Sequence, residues 1–260
     1  MKMNERAARG GRVPAVISPK WWIGLFRRAD AAGYFIRFRD LWLFIISART
    51  DSRIAHLRAR FGNRVAFETL YRESTDPWHS MRFRYQNHKY EVIASLLPPY
   101  RRYRRVLDLG CGLGALSGLL SVRADYVLGV DVAQSAVDRA IRQHGSASVI
   151  FQQGDILAPL GDVEHKFDLI AIVDVLYYLP NIDDVLISNL ADKIAEYMDS
   201  DGLCLLTNHF FFPWDKQSRL SKRIHAAFLR SSRLTCISQH WRPFYLTTLL
   251  TRRNACEVHA

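Results

Sequence analysis

The chain has few cysteines, and their spacing does not suit a metal site or a disulfide framework. Four occur in 260 residues, without a CxxC pair or a close histidine partner: Cys111, Cys204, Cys236 and Cys256. Disulfide-rich secreted domains and zinc sites both need regularly spaced or paired cysteines. The sequence therefore predicts reduced thiols in a cytoplasmic protein and no metal centre.

Long apolar runs are also missing. The first fifteen residues are basic and lack an apolar core, so no secretory signal fits. Residues 16–48 hold two short apolar runs divided by charged residues, and neither approaches the ~20 residues of a membrane-spanning helix. Two interpretations stay open for this segment. It forms an interfacial helix in peripheral contact with a membrane, or an extra helical layer packed on the domain, which is the commoner use of such stripes.

Acidic residues are scarce at both ends of the chain. Residues 1–105 carry 22 Lys or Arg against 8 Asp or Glu, a net +14, and residues 206–260 carry 9 against 2, a net +7. The centre, 106–205, carries 5 against 15, a net −10. Basic arms suit a phosphorylated substrate, an anionic membrane or nucleic acid, although a solvated basic surface is the commoner case. The run Arg-Arg-Tyr-Arg-Arg at 101–105 leaves these alternatives open.

The most informative segment is 106–117, an apolar strand followed by a glycine-rich turn and the start of a helix. Glycines let the backbone adopt positive φ and approach a ligand closely. A strand at 125–130 ends at Asp131, an acceptor for both ribose hydroxyls. A strand at 148–152 leads to Asp155, a candidate acceptor for an adenine amino group, and to Ile156, which would lie against the ring. In this context the turn predicts a nucleotide site.

This ordered set resembles the class I S-adenosylmethionine-dependent methyltransferases, whose first motif, (D/E)xGxGxG, is matched by residues 108–114. A nicotinamide dinucleotide domain would have GxGxxG instead. The resemblance implies S-adenosylmethionine as the cofactor and S-adenosylhomocysteine as its product. It also implies a set of cofactor-binding residues: Asp108, Gly110, Cys111, Gly112, Gly114, Asp131, Val132, Asp155, Ile156 and Val173.

The remaining elements complete an α/β fold. The strand at 167–173 is apolar throughout, as expected for burial on both faces. A strand at 203–208, a helix at 215–230 and a hairpin of strands 232–241 and 244–251 follow it. With the resemblance, these predict a Rossmann-like, doubly wound, seven-stranded sheet, mostly parallel with an antiparallel C-terminal hairpin. We expect an N-terminal helical extension and cap at 1–99 and the S-adenosylmethionine-binding domain at 100–260.

Within this class, the chain is similar to the nodulation-type (NodS-like) N-methyltransferases over about residues 74–251. The similarity is carried by short segments: Asp-Pro-Trp at 76–78, Tyr-Gln-Asn-His-Lys-Tyr at 85–90, Val-Leu-Tyr-Tyr-Leu at 175–179, Asn-His at 208–209 and Arg-Pro-Phe-Tyr at 242–245. Members methylate the free amine of a de-N-acetylated glucosamine oligosaccharide. The resemblance implies a small-molecule acceptor, the amine of an aminosugar or saccharide intermediate in polysaccharide or lipo-oligosaccharide biosynthesis.

Three alternatives to N-methylation of an aminosugar stay open. Sugar O-methylation is the most similar reaction, but a hydroxyl is less acidic and would need a stronger base or a metal. The basic arms favour an RNA methyltransferase, but the (D/N)PP(Y/F) sequence of enzymes that methylate exocyclic base amines is missing after residue 173. Nucleic acid is therefore the less favoured partner. A non-catalytic, membrane-associated module is the third, and the intact cofactor motifs argue against it.

The resemblance and the chemistry together indicate where catalysis would occur. An amine must be neutral to attack, so a carboxylate or imidazole beside it would take its proton. Asp174 and His209, at the ends of the fourth and fifth strands, are the candidate bases. Asp174 could instead cap the next helix or bind the methionine ammonium group, and His209 could be satisfied at its strand end. Candidate substrate-pocket residues are mainly aromatic, with His79 as a secondary candidate: Trp78, Tyr85, Tyr90, Tyr177 and Tyr178.

Overall fold

The computed structural model of the protein describes residues 38–158, 166–211 and 214–253. Within these ranges, three helices come first, and seven strands with the remaining helices follow. In chain order they are α1 (Phe38–Phe61), α2 (Asn63–Glu73), α3 (Arg84–Ser95), β1 (Tyr103–Leu109), α4 (Ala115–Ser121), β2 (Ala124–Asp131), α5 (Gln134–His144), β3 (Val149–Gln153), β4 (Phe167–Val173), a 3-10 turn (Leu176–Tyr178), α6 (Asp184–Tyr197), β5 (Met198–Phe210), α7 (Lys216–Arg230), β6 (Leu234–Arg242) and β7 (Phe244–Arg252).

The strands form one seven-stranded sheet with the order β3-β2-β1-β4-β5-β7-β6. The strands β3, β2, β1, β4 and β5 run parallel, whereas β7 is antiparallel to both β5 and β6. The predicted fold class is therefore confirmed. The strand order reverses between β1 and β4, and in doubly wound sheets ligands bind at the carboxyl end of such a switch point.

The start of β5 differs from the sequence-based prediction. The strand begins at Met198 rather than Leu203, because Met198 pairs with Phe167 before the register shifts and Leu203 pairs with Leu169. The polar residues 199–202 occupy this irregularity, and such residues in a sequence resemble a turn.

Two apolar layers cover the sheet, one on each face. Val106 and Leu169 pack with residues of α3, α4 and α5, whereas their neighbours Leu107 and Ile170 pack with residues of α6 and α7. This alternation is the two-residue period of a strand. Because both faces are covered, β4 is buried along its whole length.

The helices before β1 pack over the carboxyl ends of the strands. Ile54 of α1 and Phe67 of α2 share an apolar cluster with Leu113 of the glycine turn and Ala133 before α5. On α2, the Glu68 carboxylate accepts hydrogen bonds from the backbone N–H and the Oγ of Ser135, at 3.1 and 2.6 Å, in the first turn of α5. An acidic side chain is favourable at a helix N-terminus, so this contact anchors α2 on the sheet layer.

The apolar segment 16–48 is described only in part. Residues 16–37 lie outside the described residues, and residues 38–48 form the start of α1. Leu43 packs against the core, while Trp42 and Ile45 are 49% and 41% exposed. Within the described ranges, no helix is long and apolar enough to cross a membrane.

The packing of α7 on the sheet predicts that substitutions at two neighbouring residues change the free energy of unfolding by very different amounts. Phe228 of α7 is fully buried in the apolar cluster between this helix and the sheet, whereas the next residue, Leu229, is 40% exposed. We expect Phe228→Ala to lower the free energy of unfolding by ~3–5 kcal/mol, because it removes buried apolar area and leaves a cavity. Leu229→Ala is the matched control and should cost about 1 kcal/mol or less. Urea unfolding measures both values, and equal losses would contradict this packing.

Candidate active site

A cavity of about 170 Å³ lies at the carboxyl edge of the strands, beneath α1, α2 and α3. The predicted cofactor residues that line it come from the ends of β1 to β4: Gly110, Cys111, Gly112, Asp131, Val132, Asp155, Ile156 and Val173. The predicted bases and pocket aromatics line the same cavity: Asp174, His209, Trp78, Tyr85, Tyr90, Tyr177 and Tyr178. Asp108, Gly114 and His79 are not in its wall.

The glycine turn after β1 requires residues without a side chain. Gly110 has φ +75°, and a Cβ there would lie 2.5 Å from Cγ2 of Val175. Gly114 has φ +79°, and its Cβ would lie 2.7 Å from Cζ of Phe151. Any other residue would be strained at both positions and would collide with its neighbours. The turn therefore forms a close-fitting backbone cradle at the edge of the cavity.

Asp131 holds this turn in place. Its Oδ2 accepts a hydrogen bond from the backbone N–H of Gly112 at 2.9 Å, and its Oδ1 accepts from that of Ala133 at 3.0 Å. Burial raises the pKa of the Asp131 carboxyl, and the backbone hydrogen bonds oppose that shift. Each oxygen keeps a lone pair, so the carboxylate can also accept from ribose hydroxyls. The sequence had indicated the second role but not the first.

Asp108 has a structural role behind the turn. It is 2% exposed, and its carboxylate accepts a hydrogen bond from Oγ of Ser117 in α4 at 2.6 Å. Burial raises the pKa of Asp108 to about 6, despite this hydrogen bond. Direct contact of Asp108 and Gly114 with a cofactor stays a prediction, because the structure places both residues outside the cavity wall.

Asp174 follows β4 with a left-handed backbone, φ +55°. Its Oδ2 accepts a hydrogen bond from Nζ of Lys89 in α3, and its backbone N–H donates to the carbonyl of Thr207 at 2.9 Å. The other carboxylate oxygen, Oδ1, is buried and has no hydrogen-bond partner among the described residues. Its side chain is therefore part of an ion pair with a buried lysine, and it does not cap the 3-10 turn.

His209 and Gln86 each add a buried polar atom without a partner in the described residues, Nε2 and Oε1 respectively. Both residues line the cavity with Asp174. Burial lowers the pKa of His209, so its imidazole is neutral near pH 7 and able to accept a proton. The expectation of a histidine satisfied at its strand end does not fit this unpartnered nitrogen.

An aromatic wall closes the cavity from the α1 side. Asp51 accepts hydrogen bonds from the Tyr178 hydroxyl at 2.6 Å and from Nε1 of Trp78 at 3.0 Å. The ring of Tyr177 lies 4.5 Å from that of Tyr178, measured between centroids. Asp51 thus fixes the orientation of two predicted pocket aromatics, a role that no sequence pattern indicated.

Lys89 and Gln86 were also missed as site residues. They stand three positions apart on α3, and the neighbouring Tyr85, Tyr90 and Ile93 are apolar or aromatic. This spacing places Gln86 and Lys89 on the same side of the helix as these apolar and aromatic residues. That pattern is the one feature of the sequence that could have identified them as site residues.

A family model described as Nodulation protein S (NodS) matches residues 67–208. Nodulation protein S of Azorhizobium caulinodans is 25% identical over 130 residues, which are 50% of this chain and 61% of the relative. The chain thus spans about three fifths of that relative's length. A ubiquinone biosynthesis O-methyltransferase of Glaesserella parasuis is 36% identical over 112 residues, 40% of this chain and 44% of that protein.

A solved structure has the same fold. The N-methyltransferase NodS from Bradyrhizobium japonicum WM9, in complex with S-adenosyl-L-homocysteine, superposes with a TM-score of 0.61. It is 19% identical, and the match covers 72% of this chain and 98% of that one. Because the family model covers more than half of the residues, from α2 through β5, the chain belongs to the nodulation protein S (NodS) family.

Proposed function

We propose that this protein is an S-adenosylmethionine-dependent N-methyltransferase that acts on the amine of an aminosugar or saccharide intermediate. One observation carries the proposal. Three residues that line the same cavity as the glycine turn, Gln86, Asp174 and His209, each have a buried polar atom without a hydrogen-bond partner in the described part of the chain. An amine and the hydroxyls around it on a sugar supply the donors that these atoms lack.

The residues present fit S-adenosylmethionine. The cradle at Gly110 admits no Cβ, and Asp131 presents an oriented carboxylate to the same cavity. Within the described ranges, Asp155 keeps its second oxygen for an adenine amino group, since its Oδ1 accepts from the backbone N–H of Leu157 at 2.9 Å. When bound, this cofactor supplies an activated methyl group. The protein then has chiefly to hold the acceptor in line, and such positioning supplies about 7–11 kcal/mol.

The residues near the acceptor have different roles in the reaction. The amine nitrogen would form the new N–C bond with its lone pair as the S–CH3 bond breaks and leaves its electron pair on sulfur, and the proton that the methylated amine releases would pass to the neutral His209 imidazole. Asp174 Oδ1 accepts a hydrogen bond from the same amine and orients it. The aromatic wall of Trp78, Tyr177 and Tyr178 offers ring faces to the sugar and limits the access of water.

Sugar O-methylation is the second candidate, since an O-methyltransferase is among the similar proteins. A hydroxyl presents a single donor, whereas a neutral primary amine presents two. Several acceptors around one cavity therefore favour the amine. Among the described residues, no group of three or more His, Cys, Asp or Glu could hold a metal ion.

The basic run at 101–105 does not support an RNA substrate. Arg101, Arg102 and Arg104 pair with Asp201, Asp125 and Asp199 at 3.0, 2.6 and 2.7 Å. These contacts lie at the starts of β1, β2 and β5, the sheet edge opposite to the cavity.

Asp131→Asn tests the cofactor site. The change keeps the size of the side chain, but it removes the charge that strengthens hydrogen bonds to hydroxyls and replaces one of the two oxygens that accept from Gly112 and Ala133 with an NH2 group. We expect the dissociation constant for S-adenosylhomocysteine to rise by about 10- to 100-fold, measured by calorimetry. Asp125→Asn, at the exposed start of the same strand, is the matched control and should bind like the parent protein. Equal affinity in all three proteins would exclude Asp131 from the site.

The acceptor class is tested with S-adenosylmethionine and chitooligosaccharides that are fully acetylated or carry one free amine. We expect mass spectrometry to show added methyl groups on the free-amine compounds alone, because an acetylated nitrogen has no available lone pair. Methylation of fully acetylated chains would favour the O-methyltransferase alternative. Bound S-adenosylhomocysteine without transfer to any compound would reject this acceptor class.

His209→Asn tests the proton acceptor. Loss of a positioned base should lower kcat by about 10²- to 10⁴-fold without altering affinity for S-adenosylhomocysteine. The control is His88→Asn on α3, outside the cavity wall. Burial lowers the pKa of His209, so its imidazole stays neutral to below the usual histidine value of about 6.5, and a fall in kcat of the parent above that pH is assigned to protonation of the acceptor amine. A His209→Asn variant that keeps the kcat of the parent would contradict this assignment.

A further inference from the structure

Lys89 is a fully buried lysine, 0% exposed, at the centre of α3. Its ammonium contacts Oδ2 of Asp174 and lies 5.3 and 5.6 Å from the ring centroids of Tyr85 and Tyr90. Removing an ammonium group from water costs several kcal/mol, and only a close carboxylate with good geometry repays it. The two aromatic faces add a smaller cation–π attraction. The position of Lys89 therefore depends on Asp174.

The backbone conformation of Asp174 has an energetic cost of its own. A left-handed backbone at a residue other than glycine costs about 1–3 kcal/mol and occurs mostly at functional sites. An ion pair that served stability alone would be expected to satisfy both carboxylate oxygens. Here Oδ2 is bound by Lys89, whereas Oδ1 has no partner in the described part of the chain. The residue lines the cavity, and the pair leaves its Oδ1 without a partner there.

Gln86 stands one turn before Lys89 on the same helix. Its Oε1 is buried without a partner in the described residues, and its side chain lines the cavity together with Asp174. The helix α3 therefore contributes two groups to this region: the acceptor Oε1 of Gln86 and the ammonium group of Lys89, which pairs with Asp174.

We propose that Lys89 is a positioning residue that acts through Asp174, and that Gln86 binds the acceptor. This inference rests on the proposed methyl transfer to an amine. The Lys89 ammonium occupies Oδ2, compensates the carboxylate charge and fixes Oδ1 for a hydrogen bond from the amine. Gln86 Oε1 accepts from a second N–H or from a neighbouring sugar hydroxyl. Proton transfer is left to His209.

The test compares Lys89→Met and Gln86→Leu with Arg84→Met, an exposed basic residue at the start of the same helix. For Lys89→Met we expect kcat/KM for a free-amine chitooligosaccharide to fall about 100-fold, as for a misplaced reacting group, with affinity for S-adenosylhomocysteine within twofold of the parent. For Gln86→Leu we expect the acceptor KM to rise about tenfold, the loss of one hydrogen bond. Arg84→Met should match the parent.

A double variant separates positioning from stability. Lys89→Met alone leaves a buried carboxylate without its counter-ion and is expected to lower the melting temperature. Lys89→Met with Asp174→Asn removes both charges, so its melting temperature should recover while kcat/KM stays at least 100-fold low. Recovery of kcat/KM in the double variant would show that the pair is structural and would overturn the inference.

The remaining outcomes distinguish the inference from the proposed function. A parent protein that binds S-adenosylhomocysteine but methylates no amine overturns both. A parent that methylates the amine, with a folded Lys89→Met variant of equal kcat/KM, overturns the role of Lys89 alone. An unchanged acceptor KM in Gln86→Leu removes Gln86 from the acceptor site.

Discussion

The carboxylate of Asp131 is the contact on which the rest of the site depends. It binds the backbone of the glycine turn at Gly112 and the start of the α5 region at Ala133, so one side chain sets the distance between the ends of β1 and β2. Leu113 and Ala133 then form the surface on which α1 and α2 pack. A residue without these acceptors would leave two N–H groups unpaired and would loosen the turn and the helices above it together.

Hydrogen-bond partners are unevenly distributed around the cavity. On the cofactor side, Asp131 is held by backbone donors, and on the wall Asp51 is held by two aromatic side chains. On the acceptor side, Gln86, Asp174 and His209 each keep a buried atom without a partner in the described ranges. Each such atom costs about 1–3 kcal/mol. Six further buried atoms outside the cavity wall also lack a partner in the described residues, so what distinguishes these three is their position around one cavity, where a ligand that carries several donors would repay the cost.

The parts of the fold that were predictable have signals within a few consecutive residues. The strand at 167–173 is continuous apolar sequence, and the glycine turn shows its spacing directly, so both were located before any tertiary contact was known. Lys89 could not be found in that way. Its spacing puts it on the buried stripe of α3, but lysine is ordinarily exposed, and only the approach of Asp174 after β4, 85 residues away, explains its burial. The second role of Asp131 was hidden for the same reason, since it binds a turn 19 residues earlier.

The charge pattern shows how a count over the sequence differs from the surface that the fold produces. The basic N-terminal part and the acidic centre carry +14 and −10, and the fold places several of these charges against each other. Arg101 and Arg102 meet Asp201 and Asp125, and from the other basic arm Arg233 meets Glu196. Exposed pairs of this kind contribute only about 0–1 kcal/mol each, so they do little for stability. Their effect is on the field, because a paired guanidinium attracts a distant polyanion far less than a free one. Within the described residues, the arginine run that most resembled a nucleic-acid contact is thereby largely neutralised, and the cavity at the opposite edge remains the place where this chain can recognise a substrate.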